Sequence, residues 1–171
     1  MAEEKVVPGT GGDHYIPYSE RSGGESVVFF TRDLSAEGLL KIYDCIQEAL
    51  EGKVAVKLHT GEKNGPNIIP RDWVRELLDK KLKDGTIIET NSYYEGDRDT
   101  TQKHRETLKV NGWTFAPVDI MDEDGTVCLP VKDGKWFTEM SMGGTLTAYD
   151  SFLALTHFKG HTKGGFGGSN K

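Results

Sequence analysis

Short β-rich apolar runs alternate with amphipathic stretches of helical spacing along this chain, and that alternation constrains its fold more than any other feature. Val27-Val28-Phe29-Phe30, Val54-Ala55-Val56-Lys57-Leu58, Thr86-Ile87-Ile88-Glu89-Thr90, Trp113 to Ile120, and Phe152-Leu153-Ala154-Leu155-Thr156 have the make-up of core strands. Between the first two, Ser35 reads as the N-cap of a helix reaching Leu50, with Leu39, Tyr43, Ile46 and Leu50 along one face. Pro70 reads as the first-turn proline of a second helix that buries Trp73, Val74, Leu77, Leu78 and Leu82. A more polar helix from Thr100 to Val110 follows the third strand and closes at Asn111-Gly112. Strands separated by helices imply crossover connections and parallel pairing. The expected fold is therefore a three-layer, Rossmann-like α/β domain with a mainly parallel sheet. A turn at Asp124-Gly125 before Val127-Cys128-Leu129-Pro130-Val131 adds a small β-hairpin excursion, with Pro130 at an edge.

Residues 1–25 carry Pro8, Gly9, Gly11, Gly12, Gly23 and Gly24 and few clustered apolar side chains, so they read as a flexible N-terminal arm. Residues 26–171 then form a single α/β domain. The formal net charge of −6 argues against nucleic acid as a partner, because a broad basic field is missing. Met1-Ala2-Glu3-Glu4-Lys5 has no apolar signal core and no run reaches membrane-spanning length, so a cytoplasmic protein without membrane contact is expected. The two cysteines, Cys45 and Cys128, cannot supply the thiolates of an iron–sulfur cluster, and both read as buried thiols.

Open parallel sheets bind ligands beyond the carboxyl ends of their strands, which shortens the list of candidate positions. After the second strand run come His59, Glu62 and the glycines around them, with Lys57 on the same strand face as His59. After the third comes Asn91, and after the fourth Asp119 and the acidic turn Asp122-Glu123-Asp124, which reads as solvated. His14 and His104 read as solvated surface residues. The last loop is the most distinctive. His157, Lys159, His161, Lys163 and Lys171 surround Gly164, Gly165, Gly167 and Gly168, a pattern in which glycines let backbone N–H groups turn toward an anion. The spacing matches neither a P-loop nor a dinucleotide fingerprint, so no nucleotide is inferred. A phosphate or carboxylate is the expected ligand, with Lys57, Glu62, Asn91, His157, Lys159, the four glycines and Lys171 as binding residues.

Several segments together are familiar: Lys57-Leu58-His59-Thr60-Gly61-Glu62, Asn91 with Arg98-Asp99-Thr100-Thr101 and His104-Arg105, Ala116-Pro117-Val118-Asp119-Ile120-Met121-Asp122, Tyr149-Asp150-Ser151, and His157-Phe158-Lys159-Gly160-His161 through Gly168. They resemble a bacterial and archaeal family catalogued as domain of unknown function 362. The resemblance implies a redox-associated family in which iron–sulfur domains are common, and a chain corresponding to the first half of a larger family domain or to a shortened family member. No cysteine here matches a cluster motif, so the cofactor stays unknown. The larger family is in turn similar in fold to the nickel-pincer lactate racemases, in which a histidine and the lysine ten positions later serve the cofactor. His161 and Lys171 stand at that spacing. That similarity implies His161 as a general acid/base and Lys171 as an anchor, and it is the sole ground for nickel or any other metal.

Three readings follow. The first is a domain that binds a small anionic ligand or cofactor. The second is an isomerase or racemase that moves protons with His59 and His161. The third is a non-catalytic module or homo-oligomer, or a fragment whose partner subunit completes the domain. Whether the chain is an enzyme is left open.

Overall fold

The structure, a computed structural model, describes residues 27–162 and 164–170. The expected N-terminal arm, with His14, Tyr15 and Tyr18, lies outside the described residues, as do Lys163 and Lys171.

The chain forms an α/β domain around a four-stranded parallel sheet. Helix α1 spans Ala36–Ile46, and Ser35 caps it by accepting a hydrogen bond from the Gly38 N–H. A 3-10 turn, Gln47–Ala49, takes up the rest of the expected helix. Strand β1 (Val54–Lys57), helix α2 (Arg71–Lys80), strand β2 (Thr86–Glu89), helix α3 (Thr101–Val110) and strand β3 (Val118–Ile120) then alternate. Pro70 occupies the N-cap of α2, one position earlier than a first-turn proline. Strands β4 (Thr126–Pro130) and β5 (Glu139–Gly143) form the antiparallel hairpin. Strand β6 (Ser151–Ala154) returns to the main sheet, and β7 (Gly160–His161) with β8 (Gly165–Phe166) makes a minimal second hairpin.

The sheet order is β3-β2-β1-β6, parallel throughout. Helices α1, α2 and α3 contribute Tyr43, Leu77 and Leu108 to one apolar cluster with Val56 and Ile87, so all three cover the same sheet face. The opposite face carries Ala55 and Ile88 under Met121, Leu146 and Tyr149, so its outer layer is an irregular segment rather than a helix. On that face Asp119 Oδ2 accepts from Thr145 Oγ1 and from the Tyr149 hydroxyl, each at 2.7 Å. Burial and that carboxylate push the Tyr149 phenol well above its ordinary range.

Four expectations are corrected. Val27–Phe30 forms no strand and is exposed; a strand needs a hydrogen-bonding neighbour, and the main sheet is made of the other four runs alone. Trp113 to Ile120 is a strand only over its last three residues. Ahead of it Trp113 turns into the core, and Pro117, which has no N–H, contributes only its carbonyl to Ile87. Cys45 and Cys128 are exposed free thiols, because α1 and β4 present those positions to solvent. His104, expected on the surface, is fully buried, because α3 turns it toward the sheet alongside Thr107 and Leu108.

Candidate functional site

Connectivity selects one end and one place on the sheet. The chain steps from β1 to β2 to β3 in one direction, and β6 then pairs on the other flank of β1. The order reverses between β1 and β6. A crevice beyond the carboxyl ends of those two strands is where such a sheet holds ligands. His59 follows β1, and His157 and Lys159 follow β6.

The segment after β1 is held rigidly. Leu58 and Thr60 are buried and flank the half-exposed His59. Three carbonyls of the next turn converge on one amide: Asn111 Nδ2 donates to Thr60 O at 3.1 Å, Gly61 O at 3.3 Å and Glu62 O at 2.9 Å. Asn111 Oδ1 accepts from the Asn64 N–H at 2.9 Å, and the Trp113 indole N–H adds a bond to Thr60 O at 2.7 Å. Gly61 sits at φ +91°, and a side chain there would run into Ile68 Cγ2 at 2.3 Å, so glycine is required.

Beneath this segment lies the carboxylate of Glu89, at the end of β2 and 3% exposed. It accepts from Lys57 Nζ at 2.8 Å, the Thr60 N–H at 2.9 Å and Thr60 Oγ1 at 3.2 Å. Arg98 Nη1 and His59 Nδ1 each stand 3.8 Å from it. A buried carboxylate of this kind persists only when paired and hydrogen-bonded, as here. Arg98 also forks onto Glu62, whose pKa is lowered chiefly by that bond. His59 is held below the ordinary histidine range, first by burial and then by the positive charges of Arg98 and Lys159, against the pull of Glu89.

Asn91 is engaged on every side. Its N–H donates to Asp122 Oδ1 at 2.9 Å, its Nδ2 to Thr101 Oγ1 at 2.9 Å, and its Oδ1 faces His104 Nδ1 at 3.3 Å. Burial lowers the pKa of His104 and keeps the ring neutral. Asn91 thus orients an interior imidazole.

His59, Glu62, His157 and Lys159 line one cleft of about 390 Å³. A side lobe of about 200 Å³ is bounded by Lys57, His59, His157, Lys159 and Gly168. His161 is absent from both linings; it lies on β7, where its Nδ1 accepts from the Gly164 N–H at 3.0 Å. The Gly167 N–H donates to Lys159 O at 2.9 Å. Two N–H groups expected to turn toward an anion are therefore consumed inside the loop. Gly165, at φ +66°, stands where the chain reverses to bring β8 back onto β7, and Gly168, at φ +80°, opens the 3-10 turn after β8. The titratable side chains of the described lining are His59, Glu62, His157 and Lys159.

Sequence reasoning gave Glu89, Asn111 and Trp113 no part in the site, and reached Arg98 only within the stretch after the third strand and through the family resemblance. A charged residue closing an otherwise apolar strand was the available signal for Glu89. Nothing local marks the others, which act across separations of 36 to 53 residues.

Among the described residues no three His, Cys, Asp or Glu side chains are grouped to hold a metal ion. Cys45 and Cys128 stand on α1 and β4, and neither lines the cleft. The described residues therefore do not fit an iron–sulfur or nickel site. No described helix is long and apolar enough to cross a membrane.

This is a parallel α/β domain with a polar cleft at its switch point. The model of the family described as Domain of unknown function (DUF362) matches residues 54–171, from β1 to the end of the chain, and the protein belongs to that family. No curated protein and no solved structure matches it, so nothing in these comparisons carries the similarity to lactate racemases.

Proposed function

We propose that this domain binds a small anionic ligand, a carboxylate or phosphate, in the cleft between the carboxyl ends of β1 and β6. The observation that carries the reading is the charge inventory of the lining. Lys57 is neutralised by Glu89 and Glu62 by Arg98. Lys159 makes no ion pair with any described residue and stands beside the imidazoles of His59 and His157. Among its described residues the cleft therefore holds one cation without an ion pair, two imidazole groups able to hydrogen-bond an oxyanion, and no unpaired carboxylate. Glu89, Asn111 and Trp113 hold the His59 segment in place before a ligand arrives. Titration of the protein with acetate and with inorganic phosphate, followed by NMR, tests this. Shifts at His59 and His157 that weaken about tenfold in Lys159→Ala are expected, the loss of roughly one charge-assisted contact. Equal binding by the parent and by both Lys159→Ala and His157→Ala would sink the reading.

One observation favours a second reading, proton transfer. His59 is biased toward its neutral form and its Nδ1 faces the Glu89 carboxylate, an arrangement that suits a general base. His161, the partner expected from sequence, would have to act from β7, whereas His157 already shares the cleft. Exchange of the α-proton of 2-hydroxy acids in deuterated water would support it, and no exchange with any acid tried would count against it.

A further inference from the structure

A second depression adjoins the polar cleft. It also measures about 390 Å³ and runs between α1 and α2, lined by Leu39, Ile42, Ile68, Ile69, Trp73 and Leu155. Its acidic lining residue, Asp33, is occupied by Ser35 Oγ at 2.6 Å and lies 3.7 Å from Lys41 Nζ. Ile68 and His157 line both the apolar groove and the polar cleft, so the two share a wall. The stretch after β6 forms the seam: Leu155, His157 and Phe158 border the groove, while His157 and Lys159 border the cleft. Leu34 and Phe158, at the groove, are 83% and 72% exposed. A concave apolar surface of this size, rimmed by large apolar side chains that are more than half exposed, marks a binding surface.

An inorganic ion would use the cleft and leave the groove unused. Charge complementarity at one end and continuity with an apolar channel at the other select a ligand that is itself divided in this way. We propose that the ligand is an amphipathic carboxylate, its head at Lys159 and His157 and its aliphatic or aromatic body in the groove between α1 and α2. This rests on the anion-binding reading above and specifies the ligand class.

The test uses the intact chain and a homologous series of acetate, butanoate, hexanoate and octanoate, with octan-1-ol as the uncharged control, each titrated by NMR below its aggregation limit. Affinity should rise about three- to fourfold per added methylene until the groove is filled. The double variant Leu34→Ser/Phe158→Ser alters exposed side chains and should fold normally. It should weaken octanoate about fivefold or more while leaving acetate unchanged. Lys159→Ala should weaken every carboxylate by the same factor and leave the alcohol unaffected. Octanoate binding no tighter than acetate would overturn the proposal while the anion site stands. Octan-1-ol binding as tightly as octanoate would overturn it by showing that the groove acts without the cation. Failure of every carboxylate to bind would remove both.

Discussion

The Asn111 amide is the most informative point at which to perturb this protein, because one side chain organises the turn that carries His59. Its Nδ2 faces three carbonyl oxygens and its Oδ1 accepts from Asn64. Asn111→Ala deletes two well-formed bonds of 2.9 Å and two longer ones. Water reaches the exposed residues Glu62 and Asn64, and Thr60 O keeps its bond from Trp113. Little is left stranded, and at about 1 kcal/mol net per good bond the loss is about 2–3 kcal/mol. Asn111→Asp keeps the volume but replaces the donor with an oxygen. The new carboxylate meets three carbonyl lone pairs in a site 7% exposed. It should cost about 1–2 kcal/mol beyond the alanine variant at pH 7, because a lost bond becomes a repulsive, desolvated contact.

The two variants also separate by pH. Burial and the carbonyl oxygens disfavour the charged form of the new carboxyl, so its folded-state pKa lies above its unfolded value of about 3.9. Its penalty is then full above the folded pKa, shrinks as pH falls, and is gone below the unfolded pKa, where the protonated group donates to a carbonyl. Urea unfolding followed by tryptophan fluorescence and circular dichroism at pH 7 and pH 4 reads this directly. With a slope of about 2 kcal/mol/M, the alanine variant should shift the midpoint by about 1–1.5 M, and the aspartate variant further at pH 7 but not at pH 4. Comparison within each pH removes changes common to all variants. An aspartate variant as stable as the parent at pH 7 would refute the clamp.

Two further outcomes are expected. His104 is buried and neutral with its pKa lowered, so its contribution is full above the unfolded-state value of about 6.5 and is lost as pH falls below it, with a slope of up to about 1.4 kcal/mol per pH unit; His104→Gln should flatten the stability profile between pH 6.5 and 5, and an unchanged slope would show that His104 is not buried neutral. Leu77, fully buried between α2 and the sheet, should cost about 2–5 kcal/mol as Leu77→Ala, measured by denaturant melts, and a loss under 1 kcal/mol would contradict the packing of α2.

Periodicity in the chain was enough to place the three helices and the four strands of the main sheet and to imply their parallel pairing, although it also marked Val27–Phe30 as a strand, which does not form, and drew the Trp113–Ile120 strand too long. Ser35, Pro70 and Asn111-Gly112 bracket elements through local backbone chemistry, and Leu77 or Ile87 declares its burial by spacing alone. Those properties are short-range, so they are legible in order along the chain. The strand-end rule likewise singled out His59, Glu62, His157 and Lys159, which the structure brings to one cleft. Tertiary structure alone decided what each polar residue does there. His104 sits in a polar helix but is buried, because helix orientation depends on what the neighbouring elements leave uncovered. Glu89 becomes the anchor for Lys57, Thr60 and Arg98 because β1 and β2 lie side by side. The glycine loop, expected to turn its N–H groups toward an anion, spends two of them within the loop, on His161 and Lys159. Such assignments depend on contacts between residues tens of positions apart, and no local pattern encodes them. That Lys159 has no ion-pair partner among the described residues, while Lys57 is paired with Glu89 and Arg98 with Glu62, likewise depends on the tertiary arrangement.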